Sequence, residues 1–262
     1  MPLKTRMLFI SLLFTLLSPA IAQSEVIFRA AYENASQPPN YIGDTSQIIN
    51  PKPGAAVELI KLLEQSIPNF KVELMRFPWK QCLLKLKDGD IDGAFNGSFT
   101  QERLAIGTYP WKNSQVDPGR RLTTMSYHFY RLKGSKFNWD GQKTSGLDGM
   151  VGTPLAFSIV GDLKKMGIQT LSARDIQTNF TNLLRGKVTA LALQDVTADF
   201  HIKRKTGLKL IEKVFPALKT KPYYLMISKQ FNTKHPELSQ IIWNTIAQLR
   251  EDKLPELIQG YY

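Results

Sequence analysis

Two short stretches carry residue types and spacings suited to holding an anion. The first, Ala94-Phe95-Asn96-Gly97-Ser98-Phe99-Thr100-Gln101-Glu102-Arg103, leads from a compact apolar strand to the start of a helix. Gly97 permits a tight path, and Ser98 and Thr100 place hydroxyls beside the free N–H groups and positive end of that helix, which favour a negative charge. Arg103, about a turn later, can present a planar two-pronged donor to a carboxylate. The second, Val151-Gly152-Thr153-Pro154-Leu155-Ala156-Phe157-Ser158, again puts a hydroxyl at a helix start. Taken alone, each reads more simply as an ordinary N-cap, with Thr100 and Ser158 capping and Arg103 solvated.

Other chemistry is sparse. His128, His201 and His235 are far apart and lack HExxH spacing, so no metal site is expected, and no P-loop, GxGxxG or GxSxG motif points to a cofactor or a nucleophile. A single cysteine, Cys82, excludes an internal disulfide framework, a cysteine-based zinc site and an iron–sulfur cluster. It lies beside Leu83 and Leu84 on a predicted buried face and reads as a quiet core thiol.

The elements that must position these residues follow from patterning. The 262 residues, 43% apolar and 21% charged, have the composition of a globular protein long enough to bury a core. Met1–Ala22 has a basic start, an apolar run from Met7 to Leu17 and an Ala20-x-Ala22 site, the three-part plan of a cleaved secretory signal. The stretch is short for a bilayer span. Cleavage leaves 240 residues and lowers the net charge from +12 to +10. The basic residues are scattered (Lys164-Lys165, Lys203-Arg204-Lys205, Lys219, Lys221) with no nucleic-acid-binding pattern, so no nucleic acid partner is expected.

Ile27–Ala31, Lys71–Arg76 and Ile91–Phe95 read as strands, separated by helices over about 54–66 and 78–88. The strand–helix grammar repeats from Met150 to Phe215, with strands at 150–154, 170–171, 188–193 and 208–215. A β-rich run, Leu122–Leu132, precedes that second unit, and a strand at 223–228 and a closing helix follow it. This predicts an α/β protein of two lobes, each a mostly parallel sheet flanked by helices and joined by two hinge crossings: 23–124 as the first part of lobe 1, 125–220 as lobe 2, and 221–262 as the return to lobe 1. Open α/β sheets bind ligands at the carboxyl ends of their strands, so two facing lobes make a cleft.

The ordered set Phe77-Pro78-Trp79, "LLKLKDGDIDG" at 83–93, "GSFTQER" at 97–103, "LKGS" at 132–135, "LDGMVGTPLAFS" at 147–158, "LLRGKVTALALQD" at 183–195 and "YYLMISKQF" at 223–231 resembles the polar-amino-acid class of bacterial periplasmic solute-binding proteins (extracellular solute-binding protein family 3), the receptors of ABC importers. The resemblance runs over nearly the whole mature chain. It implies a type II periplasmic-binding-protein-like fold, a monomer in the periplasm, no catalysis and no cofactor. It also implies a small ligand, an amino acid or another small carboxylate, and a membrane permease as partner. Ser98, Arg103 and Ser158 would hold the ligand carboxylate, with Asn96 assisting. The family's ammonium-binding Asp is replaced by Gln194, with Asp195 next to it. Tyr32, Glu33 and Asn34 would line the pocket, Tyr41 would supply a packing ring, and Trp79 would sit at the rim. A sensor component signalling to a membrane receptor would share this clamp, and a dehydratase on the same fold would need a pocket carboxylate, for which Glu33 is the candidate.

Overall fold

Val26–Glu33 (β1) alternates its side chains between two apolar layers, as a strand buried on both faces must. The computed structural model describes residues 24–261; the expected signal segment, 1–22, lies outside the described residues. On one side of β1, Phe28 and Tyr32 pack under Ala55–Lys61 (α1); on the other, Ala31 meets Trp79, Cys82 and Leu86 of Trp79–Asp88 (α2). Between these helices runs Phe70–Phe77 (β2), which pairs with β1 in parallel from Val26↔Phe70 to Glu33↔Phe77. Gly93–Ser98 (β3) flanks β1 on its other edge, also in parallel. Gly89 ends α2 with a left-handed φ of 81°, the conformation glycine adopts without strain.

Thr123–Leu132 (β4) leaves lobe 1. In lobe 2, Val151–Pro154 (β5) leads to Ile159–Lys165 (α3), Thr170–Ala173 (β6) to Ile176–Leu184 (α4), and Ala190–Gln194 (β7) to Asp195–Arg204 (α5). β5 pairs in parallel with β6 and β7. Ile211–Lys213 (β8) joins the far end of β4, and Lys219–Ser228 (β9) returns to lobe 1. Pro236–Asp252 (α6) then buries Ile242, Trp243 and Ile246 in the lobe 1 core, and Trp243 Nε1 donates to Leu225 O at 2.9 Å.

The strands form one sheet in the order β6-β5-β7-β4-β9-β3-β1-β2. Its middle is the antiparallel pair β4 and β9, from Lys219↔Tyr127 to Tyr223↔Thr123, and the expected boundaries at 124/125 and 220/221 fall inside it. Beyond that pair β4 turns to β7 in lobe 2, while β9 turns to β3 in lobe 1. Each lobe thus hangs on the sheet from one long strand.

Three elements differ from expectation. The helix over 54–66 is two pieces, Ala55–Lys61 and Leu63–Ser66, broken at Leu62. The strand at 208–215 is only β8, preceded by a tight turn over Thr206–Leu208. The strand at 170–171 extends to Ala173. Two segments without an assignment in the sequence also gain one. Residues 112–121 form a hairpin, Trp111-Lys112 against Gln115-Val116, then a turn capped by Asp117 that Arg250 of α6 holds through Gly119 O. Residues 42–47 are held by Arg76 of β2, 2% exposed, whose guanidinium donates to Ile42 O (2.9 Å), Gln47 O (3.0 Å), Gly43 O (2.6 Å) and Glu33 O (3.2 Å).

Charged hydrogen bonds of this kind are each worth about 1.5–3 kcal/mol, and a methionine leaves the carbonyls unmatched. Arg76→Met is expected to lower unfolding stability by about 3 kcal/mol in urea titrations and to expose residues 42–47 to limited proteolysis; unchanged stability would show that the loop does not depend on this guanidinium.

Candidate functional site

The carboxyl ends of β1 and β3 face those of β5 and β7 across a cleft, the place where open α/β sheets bind ligands. Ser98, the last residue of β3, donates from its hydroxyl to Ser158 Oγ across the cleft at 2.7 Å. The inner cavity around this contact has room of about 10 Å³, one water molecule at most. It shares Glu33, Gln37, Phe157 and Gln194 with a second space of about 50 Å³ that reaches Ser36, Ile176 and Thr197.

Arg103 lies in a five-residue 3₁₀ turn, Gln101–Ala105, rather than in an α-helix, and Thr100 makes no side-chain cap. The positive charge at this junction therefore comes from the arginine itself and not from a helix end. The residue is 6% exposed, and its guanidinium donates to Ser98 O (2.7 Å), Ser98 Oγ (3.3 Å) and Ala156 O (3.1 Å) and rests over the Trp79 ring at 5.4 Å. No carboxylate among the described residues pairs with it. Ala156 reaches it from a left-handed conformation, φ 65°, which is strained for a residue with a Cβ. Ser158 occupies the cap position of α3 but makes no cap bond; its Oγ is turned into the cleft.

Asn96 sits at φ 61°, a left-handed backbone that Asn tolerates, and accepts from Thr123 Oγ1 at 3.1 Å. Gln194, the last residue of β7, donates to Tyr223 OH at 2.7 Å, and Tyr223 OH donates to Tyr127 OH at 3.0 Å. Three residues that line the inner cavity each bury an amide atom without a partner among the described residues: Gln37 Oε1, Asn96 Nδ2 and Gln194 Oε1. Unmatched buried polar atoms are costly, and their convergence on one cavity suits a polar ligand.

Glu33 is the one carboxyl among the described residues lining that cavity. It accepts from Gln37 Nε2 (3.0 Å) and Tyr41 OH (3.2 Å). Burial raises its pKa from 4.5 to about 7, against the opposing pull of Tyr41, Arg76 and Gln37.

The structure thus brings Glu33, Trp79, Asn96, Ser98, Arg103, Ser158 and Gln194 to one cavity. Three expected residues are not there. Asn34 lines a larger outer space, with Glu33 and Trp79, rather than the inner cavity. Tyr32 points to the opposite face of β1, stacked on Phe95 at 4.9 Å in the lobe 1 core, because successive strand residues alternate sides and Glu33 takes the cleft side. Asp195 opens α5 and accepts from Val196 N at 2.8 Å, leaving Gln194 to face the cleft. Trp79, expected at the rim, packs in the lobe 1 core and also lines the cavity. Tyr41 packs its ring on Tyr32 and turns its hydroxyl to Glu33. Sequence reasoning missed Gln37, Tyr127, Phe157 and Tyr223. The only signal for the two tyrosines is strand register, Tyr223↔Ser98 and Gln194↔Tyr127, which no local pattern contains.

Among the described residues no helix is long and apolar enough to cross a membrane, and no group of three His, Cys, Asp or Glu side chains is placed to hold a metal.

No family model matches the sequence, and no curated protein matches it. Solved structures do match in fold. The GluR0 ligand-binding core from Nostoc punctiforme, in complex with L-glutamate, is 15% identical with a TM-score of 0.66, over 90% of this chain and 99% of that one. An amino acid ABC transporter substrate-binding protein, AbpA from Streptococcus pneumoniae, bound to L-arginine, is 17% identical with a TM-score of 0.68, over 90% and 94%. A histidine kinase sensor domain with similarity to periplasmic binding proteins is 14% identical with a TM-score of 0.71, over 90% and 96%. The chain has the two-lobed, periplasmic-binding-protein-like fold.

Because the folded protein holds the Glu33 proton more tightly than the unfolded chain, Glu33 costs stability as pH rises from about 4.5 to about 7. Wild type is expected to lose about 3 kcal/mol relative to Glu33→Gln over that interval, read from urea titrations at a series of pH values. A difference that stays flat with pH would mean that Glu33 ionises as freely as in the unfolded chain.

Proposed function

We propose that this chain is an exported, monomeric solute-binding protein of the polar-amino-acid class, which captures a small carboxylate-bearing ligand, an amino acid, between its lobes and delivers it to the permease of an ABC importer. The observation that carries this reading is Arg103: a buried guanidinium with carbonyls, a hydroxyl and an indole face around it but no counter-charge among the described residues. An arginine stays protonated, and burying its charge is costly unless an anion completes the site. A carboxylate does so with two parallel N–H···O bonds.

Ser98 and Ser158 bond each other directly, so a ligand enters only when the lobes separate. On closure both hydroxyls exchange that mutual contact for contacts to the carboxylate. A ligand touching both lobes then favours the closed form by the difference in its affinity for the two forms. The glutamate- and arginine-bound proteins of the same fold support an amino acid as ligand. The signal at 1–22 supports export to the periplasm.

The glutamate- and arginine-bound proteins of this fold support binding rather than turnover. One observation favours a second reading, a sensor component: the likeness to the kinase sensor domain. Co-purification with a permease and ATPase, or with a membrane receptor, separates the two.

Arg103→Ala is expected to weaken binding of the responsive amino acid at least 100-fold by isothermal titration while keeping a cooperative melt. The ligand is found by a thermal-shift screen against amino acids and small carboxylates, since what binds only the folded state raises its melting temperature. Unchanged affinity in the variant would remove Arg103 from the clamp.

A further inference from the structure

Lys221 is a buried ammonium to which the clamp described above gives no role. It is 8% exposed and lies on β9, two residues before Tyr223 and so on the same face of the strand. Its Nζ donates to Ser158 Oγ at 2.9 Å and pairs with Asp162 on α3. The other charged or titratable groups facing it are Arg103 from the 3₁₀ turn, Lys219 on its own strand and the Tyr127 ring on β4, 5.8 Å away.

The hydrogen bonds around the serine pair run in one direction. Arg103 Nη1 donates to Ser98 Oγ, Ser98 Oγ donates to Ser158 Oγ, and Lys221 Nζ donates to Ser158 Oγ from the other side. Guanidinium and ammonium groups can only donate, so each serine oxygen is fixed as an acceptor. The Ser98 proton goes to Ser158, and the Ser158 proton has no acceptor among the described residues.

We propose that Lys221 is a positioning residue of the anion clamp: its ammonium, carried on a crossing strand and held by Asp162, sits behind Ser158 Oγ and turns the Ser158 hydroxyl into an obligatory donor to the ligand's anionic group. This rests on the reading of the cleft as a carboxylate receptor and deepens it. The site then holds two cations: Arg103, without a counter-charge, touches the ligand, and Lys221, balanced by Asp162, acts through a hydroxyl. Such a site selects a full negative charge over a neutral amide. It also ties ligand contact in lobe 2 to the strand on which the lobes turn.

The test is a double-mutant cycle on binding, with the common amino acids and acetate as probes and isothermal titration as the readout. Lys221→Met is expected to weaken the responsive probe about tenfold with little change in melting temperature, and Lys221→Arg to restore part of the loss. In a Ser158→Ala background the same Lys221→Met change is expected to cost almost nothing more, because the lysine acts through that hydroxyl. Lys221→Gln repeats the measurement should the methionine variant not fold. Unchanged affinity in Lys221→Met, or a loss that simply adds to that of Ser158→Ala, overturns the role of Lys221. If that happens while Arg103→Ala still abolishes binding, the receptor function stands without it. No response of wild type to any probe overturns both.

Discussion

A guanidinium cannot shed its proton to escape burial, and this one fact about Arg103 orders the cleft. Two carbonyls are aimed at it, from Ser98 at the end of β3 and from Ala156 in a strained left-handed turn of the opposite lobe. An indole face lies beneath it. These groups solvate the charge without cancelling it. The strain at Ala156 makes sense in the same terms: the backbone is bent away from its preferred region so that its carbonyl reaches across the cleft. Lobe 2 thereby senses the arginine of lobe 1 before any ligand is considered.

The second constraint is the shared pair of central strands. β4 and β9 bond to each other over Thr123–Tyr127 and Lys219–Tyr223, and each then serves a different lobe. Tyr127, Tyr223 and Lys221 all belong to this stretch, so the residues nearest the pivot also line or back the cleft. A rotation about that pair changes the cleft first where its walls begin.

Much of this was legible in the sequence. Short apolar runs and the strand–helix grammar located β1, β2, β5 and β7. Ser98, Arg103 and Ser158 stood out because hydroxyls and a fork-shaped cation cluster at strand ends. The errors have physical causes. Tyr32 was placed beside Glu33 in the cleft, but adjacent residues of one strand cannot face the same way. The choice between Gln194 and Asp195 depended on where β7 gives way to α5, a single residue's difference in direction. Tyr127, Tyr223 and Lys221 depend on pairings between strands almost a hundred residues apart, and no local pattern encodes those. The loop at 42–47 became intelligible only through Arg76, which is distant in sequence and sits near the end of a strand.

Cys82 was notable at first only as a solitary residue. It is fully buried under β1, and burial pushes its thiol pKa up to about 12. At neutral pH it is neither reachable nor a thiolate, and the thiolate is the reactive form. The chain therefore behaves toward alkylating dyes as though it had no cysteine. Leu155, partly exposed at the mouth of the cleft, could be exchanged for a cysteine and labelled alone. The native thiol need not be removed, so any movement between the lobes is open to fluorescence in a core that has not been altered.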